Sequence, residues 1–124
     1  MGRKILIVDD EPHCVLSTRY VLEAEGYEII EANDGDEAFE QAQNEMPDLM
    51  LLDIMMPPSG KHEGFKVCKK IKKNEKTSHI IVIMASVLGA NADKDMAKEA
   101  GASDYITKPY NIDDVAKMIK KYLD

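Results

Sequence analysis

Short apolar runs alternate with amphipathic stretches along the whole chain. Ile5–Val8, Leu49–Leu52 and Ile80–Met84 are continuous apolar runs, the pattern of strands covered on both faces. Glu28–Ala32 and Asp104–Thr107 are more polar, as suits strands at the edges of a sheet. Between these runs the apolar positions fall at helical spacing. A first helix is predicted from about Pro12, a favourable first-turn residue, to Glu25, with Gly26 as its stop. A second follows Asp34-Gly-Asp-Glu37, which reads as a capping box, and buries Ala38, Phe39 and Ala42. A third, from about Gly64 to Asn74, buries Val67, Cys68 and Ile71 and turns a lysine-rich face to water. A fourth, from about Asn91 to Ala100, has few large apolar residues, and a fifth starts at Asn111 with Ile112, Val115, Ala116, Ile119 and Leu123 on one side.

Strands alternating with helices across short loops call for a parallel sheet with helices on both faces. Right-handed crossovers, with the two polar strands outermost, give a five-stranded parallel sheet of order 2-1-3-4-5, the flavodoxin-like (βα)5 arrangement. One stretch, Met55 to Glu63, stands out as a long loop containing Pro57, Pro58 and Gly60.

Composition narrows the class. At 124 residues there is room for one core and one domain, taken as residues 1–124. The 44% apolar and 31% charged fractions are those of an ordinary globular protein. A net charge of −7 argues against a nucleic-acid or anionic-membrane binder, and suits a pocket that gathers a cation. No apolar run approaches the roughly 20 residues that span a bilayer, and the run after Arg3-Lys4 is too short for a signal peptide. Cys14 and Cys68 read as buried small hydrophobes in a reducing cytoplasm, without a disulfide.

Charge placement matters more than charge total. Open α/β sheets bind ligands beyond the carboxyl ends of their strands, where the strand order reverses. There Asp9 and Asp10 follow the first strand, Asp53 the third, Ser86 the fourth and Lys108 the fifth. Taken singly, an acidic pair after a strand is a common turn or helix cap. Jointly, three carboxylates repel and call for a cation. Mg²⁺ takes hard oxygen ligands and pairs with phosphate oxygens. The set therefore suits a carboxylate nucleophile receiving a phosphoryl group, with Lys108 and Ser86 able to contact its oxygens.

Three stretches, Ile5–Pro12, Pro47–Pro57 and Ala100–Pro109, give the chain a resemblance to the response-regulator receiver domains (CheY-like) of two-component signalling, over nearly its whole length. The resemblance implies that Asp53 is the phosphoacceptor, served by a sensor histidine kinase or phosphotransfer protein. It implies Mg²⁺ held by Asp10, Asp53 and the backbone carbonyl of Met55, with Asp9 acting through water. Ser86, 22 residues before Lys108, matches the switch hydroxyl, Tyr105 the aromatic that reorients with it, and Lys108-Pro109 a bond often cis. Also implied are an output face on the fourth helix, fifth strand and fifth helix, and a monomer or phosphorylation-promoted dimer. Such a domain is a switch with slow self-catalysed phosphoryl transfer and autodephosphorylation rather than an enzyme. It acts alone or within a longer regulator, without touching nucleic acid or membrane itself.

Two features depart from the family pattern. Gly64 lies farther from Pro57 than is usual, so the Pro58–Glu63 loop beside the site is lengthened. Val87 stands where Ala is usual, which narrows the room for phosphoryl access. The flanking Met55 and Leu88 are both apolar, and their hindrance of the hydrolytic water predicts a long-lived phosphoryl group. A Mg²⁺-dependent aspartyl-phosphate enzyme of the haloacid dehalogenase kind wants Asp-x-Asp after the first strand, where this chain has Asp9-Asp10-Glu11. A flavodoxin-like electron carrier wants a hydroxyl- and glycine-rich loop at the same place.

Overall fold

The computed structural model of the chain describes residues 2–57, 62–86 and 91–123, apart from the side chains at 86 and 91–93. Ten elements follow one another as β1 (Lys4–Val8), α1 (Pro12–Ala24), β2 (Glu28–Ala32), α2 (Gly35–Glu45), β3 (Leu49–Asp53), α3 (Glu63–Lys73), β4 (Ile81–Ser86), α4 (Asn91–Ala100), β5 (Asp104–Thr107) and α5 (Ile112–Leu123). The five strands form one parallel sheet in the order β2-β1-β3-β4-β5. The more polar strands are its edges, as expected.

Alternation along the central strands divides the core in two. Leu6, Val8, Met50, Leu52, Val82 and Met84 face one way and pack with Ala38, Phe65, Ile71 and Ala97 of α2, α3 and α4. Ile5, Ile7, Leu49, Leu51 and Ile83 face the other way and pack with Val15, Leu22, Val115 and Ile119 of α1 and α5. Every residue of β3 is buried. At ~1.5–3 kcal/mol for each large apolar side chain removed from water, these two layers are the main stabilising term.

Local chemistry sets the element ends. Pro12 opens α1, and Gly26 follows it at a φ of 97° that side-chain-bearing residues rarely adopt. The expected capping box of α2 is offset by one residue. Asp34 Oδ1 accepts from the Glu37 backbone N–H at 2.8 Å. The Glu37 carboxylate, however, reaches Asn33 N–H rather than that of Asp34. Asn111 caps α5, its Oδ1 accepting from Asp113 N–H at 2.8 Å, so the regular helix begins one residue later than predicted. Helix α3 starts at Glu63, one residue earlier, because that buried side chain packs onto Gly35 at the start of α2. Cys68 is buried as expected, whereas Cys14 is half-buried, and both thiols are free.

Candidate functional site

The sheet brings the predicted acids to one place. Strands β1 and β3 are neighbours with Val8 opposite Leu52, so the chain leaves β1 through Asp9 and Asp10 beside Asp53, the last residue of β3. Asp53 in turn lies opposite Ala85 of β4. Ser86 lies opposite Thr107 of β5, immediately before Lys108. One oxygen from each of Asp9, Asp10 and Asp53 lies within 4.8 Å of the others. Asp9 and Asp53 are buried, at 4% and 7% exposure, whereas Asp10 is open to solvent.

Lys108 closes the constellation. Its Nζ donates to Asp9 Oδ2 at 2.7 Å and to Asp53 Oδ2 at 3.3 Å, and Glu11 lies 3.9 Å away. Backbone N–H groups hold the other carboxylate oxygens, from Glu11 to Asp9 Oδ1 at 2.9 Å and from Met55 to Asp53 Oδ1 at 3.4 Å. A tight backbone contact supports Asp53 from below. Gly64 N–H donates to Ile54 O at 2.9 Å, and a methyl group at Gly64 would collide with the Asp53 carbonyl oxygen.

Burial pushes the Asp53 carboxyl up from the ordinary 3.8 to about 6; Lys108 opposes this shift and Asp9 adds to it. Burial also works against the Lys108 ammonium, but the Asp9 hydrogen bond and the charges of Asp53 and Asp9 outweigh it and raise its pKa. One ammonium thus faces three carboxylates, a surplus of negative charge that a second cation would offset.

Of the sequence-predicted residues, Asp9, Asp10, Asp53 and Lys108 converge. Met55 contributes its backbone N–H, while its side chain is 41% exposed. Tyr105 is half-buried on β5 and packs against the core on the α4 side. The Ser86 side chain, Val87, Leu88 and most of the lengthened loop lie outside the described residues.

A neighbouring group escaped the sequence reading. The Tyr110 hydroxyl, two residues beyond the cis Lys108–Pro109 bond, lies 2.9 Å from Thr18 Oγ1 and 3.2 Å from Cys14 Sγ. A cleft of about 320 Å³ between α1 and this segment is lined by Glu11, Cys14, Thr18, Lys108, Pro109 and Tyr110, among others. On the outer side of α1, Leu16 and Tyr20 are 68% and 76% exposed. The only hint in the sequence was an aromatic hydroxyl next to the Lys-Pro pair.

A family model for the response regulator receiver domain matches residues 5–120. The chain belongs to this family. The receiver domain is 40% identical over 123 residues to the alkaline phosphatase synthesis transcriptional regulatory protein PhoP of Bacillus subtilis, covering 99% of this chain and 49% of that protein. Against the response regulator PleD of Caulobacter vibrioides it is 43% identical over 115 residues, covering 93% of this chain and 24% of that protein. It therefore spans about half the length of the first relative and about a quarter of the second. Among solved structures, a CheY-like receiver domain protein from Methanospirillum hungatei superimposes with a TM-score of 0.88 at 33% identity, covering 98% of this chain and 93% of that one. The receiver domain is thus of the two-component response-regulator kind, a class of phosphorylation-dependent signalling domain.

Proposed function

We propose that this receiver domain, residues 1–124, accepts a phosphoryl group on Asp53 from a sensor histidine kinase or a phosphotransfer protein. The observation that carries this reading is the Lys108 ammonium held between Asp9 and Asp53 with Asp10 alongside. An Asp53 carboxylate oxygen attacks phosphorus, the bond from phosphorus to the donor imidazole nitrogen breaks, and that nitrogen keeps the electron pair. Lys108 moves its hydrogen bond from the carboxylates to a phosphoryl oxygen. The buried backbone around Asp53 fixes the direction of attack.

Asp9, Asp10 and Asp53 fit Mg²⁺ by ligand type and spacing. Metal–oxygen distances of about 2.1 Å put ligand oxygens about 3–4 Å apart, a small contraction from the 4.8 Å envelope seen here. When bound, Mg²⁺ would offset charge on the transferring group. The Met55 carbonyl is assigned as a further ligand, and Ser86 and Tyr105 as the switch pair, on the strength of the family match. Readout is assigned to the surface of α4, β5 and α5, which engages a downstream protein or a joined output domain. The domain is read as a cytoplasmic switch with slow self-catalysed phosphoryl transfer and autodephosphorylation; among the described residues no helix is long and apolar enough to cross a membrane. Leu16 and Tyr20, an exposed apolar pair one helical turn apart on the helix that follows Asp9 and Asp10, are assigned to docking of the phosphodonor protein.

Incubation with acetyl phosphate and Mg²⁺, followed by intact mass measurement, tests the reading. A gain of one phosphoryl group, absent in Asp53→Asn, is expected. An unmodified wild-type chain that nonetheless binds Mg²⁺ would overturn it.

A further inference from the structure

We propose that Tyr110 is a positioning residue for Lys108, acting through a hydrogen-bonded latch onto helix α1; the inference rests on the phosphoacceptor reading above. Tyr110 and Lys108 are separated by Pro109 alone, so the short backbone between them links the placement of one to that of the other. Thr18, which receives or donates the 2.9 Å hydrogen bond to Tyr110, is fully buried. Its hydroxyl is thereby kept from water and from alternative partners there. Cys14, one turn earlier on the same face of α1, adds a second contact at 3.2 Å.

The cleft strengthens the case. Open space of about 320 Å³ lies between α1 and the Lys108–Tyr110 segment. Close packing is incomplete on that side. The Tyr110 ring rests on the core layer shared with α1 and α5, and the hydrogen bonds of its hydroxyl supply the directional tie across the cleft. The tie also closes a mechanical ring. Asp9 and Asp10 lead directly into α1; α1 is fastened to Tyr110; Tyr110 leads back to Lys108; and Lys108 meets Asp9 at 2.7 Å. Loosening the latch lets the ammonium drift relative to the very carboxylates it must release and re-engage during transfer. It also makes the inner face of α1 a route by which events on the helix reach the reacting group.

Tyr110→Phe keeps the ring and removes the hydroxyl. With acetyl phosphate at saturating Mg²⁺, we expect its Asp53 phosphorylation rate to fall about fivefold, the factor one ordinary hydrogen bond is worth. Thr18→Val should fall similarly, Thr18→Ser should retain the rate, and Tyr110→Phe combined with Thr18→Val should lose no more than either alone. In a Lys108→Gln background, Tyr110→Phe should have no further effect, a result that a general loss of stability would not produce. A wild-type rate for Tyr110→Phe, or an equal drop with and without Lys108, would overturn the latch. Absence of any adduct on the unsubstituted chain would instead overturn the phosphoacceptor reading and take the latch with it. That outcome is distinct from a phosphorylated chain indifferent to Tyr110.

Discussion

Asp53 is held where its charge is costly. Its carboxyl is moved from 3.8 to about 6 chiefly by burial, so between those values the folded state keeps a proton that the unfolded chain releases. Ionisation therefore weakens folding as the pH rises through this window, and the loss is complete above about 6. In metal-free protein, Asp53→Asn should be more stable than wild type at pH 7.5 by about 1–2 kcal/mol, and equal to it near pH 3.5. Urea unfolding at the two values checks this, and a difference independent of pH would refute the cause. Singly this residue reads as an ordinary loop acid. It was legible in the sequence only together with Asp9, Asp10 and Lys108, because turns and caps do not explain their joint placement at the strand ends. Tyr110 was not, because its bonds to Thr18 and Cys14 join positions 92 and 96 apart, a proximity created by tertiary packing. Cys14 was misjudged as a buried hydrophobe for the same reason: the helical period places it inward, but the adjacent cleft leaves it half-open.

Helix α1 presents two unlike faces. Val15, Thr18 and Leu22 are buried, whereas Leu16 and Tyr20 project outward with most of their surface in water. Exposed singly, such residues need no explanation; paired one turn apart on the outer side of α1, they suit a partner surface. Leu16→Ala with Tyr20→Ala should slow transfer from a phosphohistidine protein far more than transfer from acetyl phosphate. Comparable slowing from both donors would sink the docking assignment. Element identities were readable because apolar runs alternate with helical spacing along the chain, most cleanly in α5, whose acidic first turn and basic last turn also match the helix dipole. Boundaries slipped by one or two residues where contacts from elsewhere in the fold decide them. Glu63 joins α3 through its packing on Gly35. Strand β4 runs on to Ser86 because β5 pairs with it that far.

Across the molecule, the last residue of β3 and the turns after β1 and β5 converge on one patch of charge. A cation bound there adds to stability through mass action, since the unfolded chain has no such cluster. Mg²⁺ at about a hundred times its Kd should stabilise the domain by roughly 2.7 kcal/mol, raising the thermal midpoint, and chelation should reverse the gain. An Asp10→Asn, Asp53→Asn chain should show little response, and an undiminished one would place the ion elsewhere. The strand order was legible because polar edges and apolar centres leave few arrangements that obey crossover handedness. The lysine that completes the site is bonded across 99 positions to Asp9 and across 55 to Asp53, almost the whole span of the fold. A half-unfolded chain in which β5 has not joined the sheet can display Asp53 but has no ammonium beside it, since Lys108 is brought there only by the turn after β5. Pairing of the buried acids with an ammonium is thereby complete only in the fully folded domain, and the ion pairs of the site report on its own assembly.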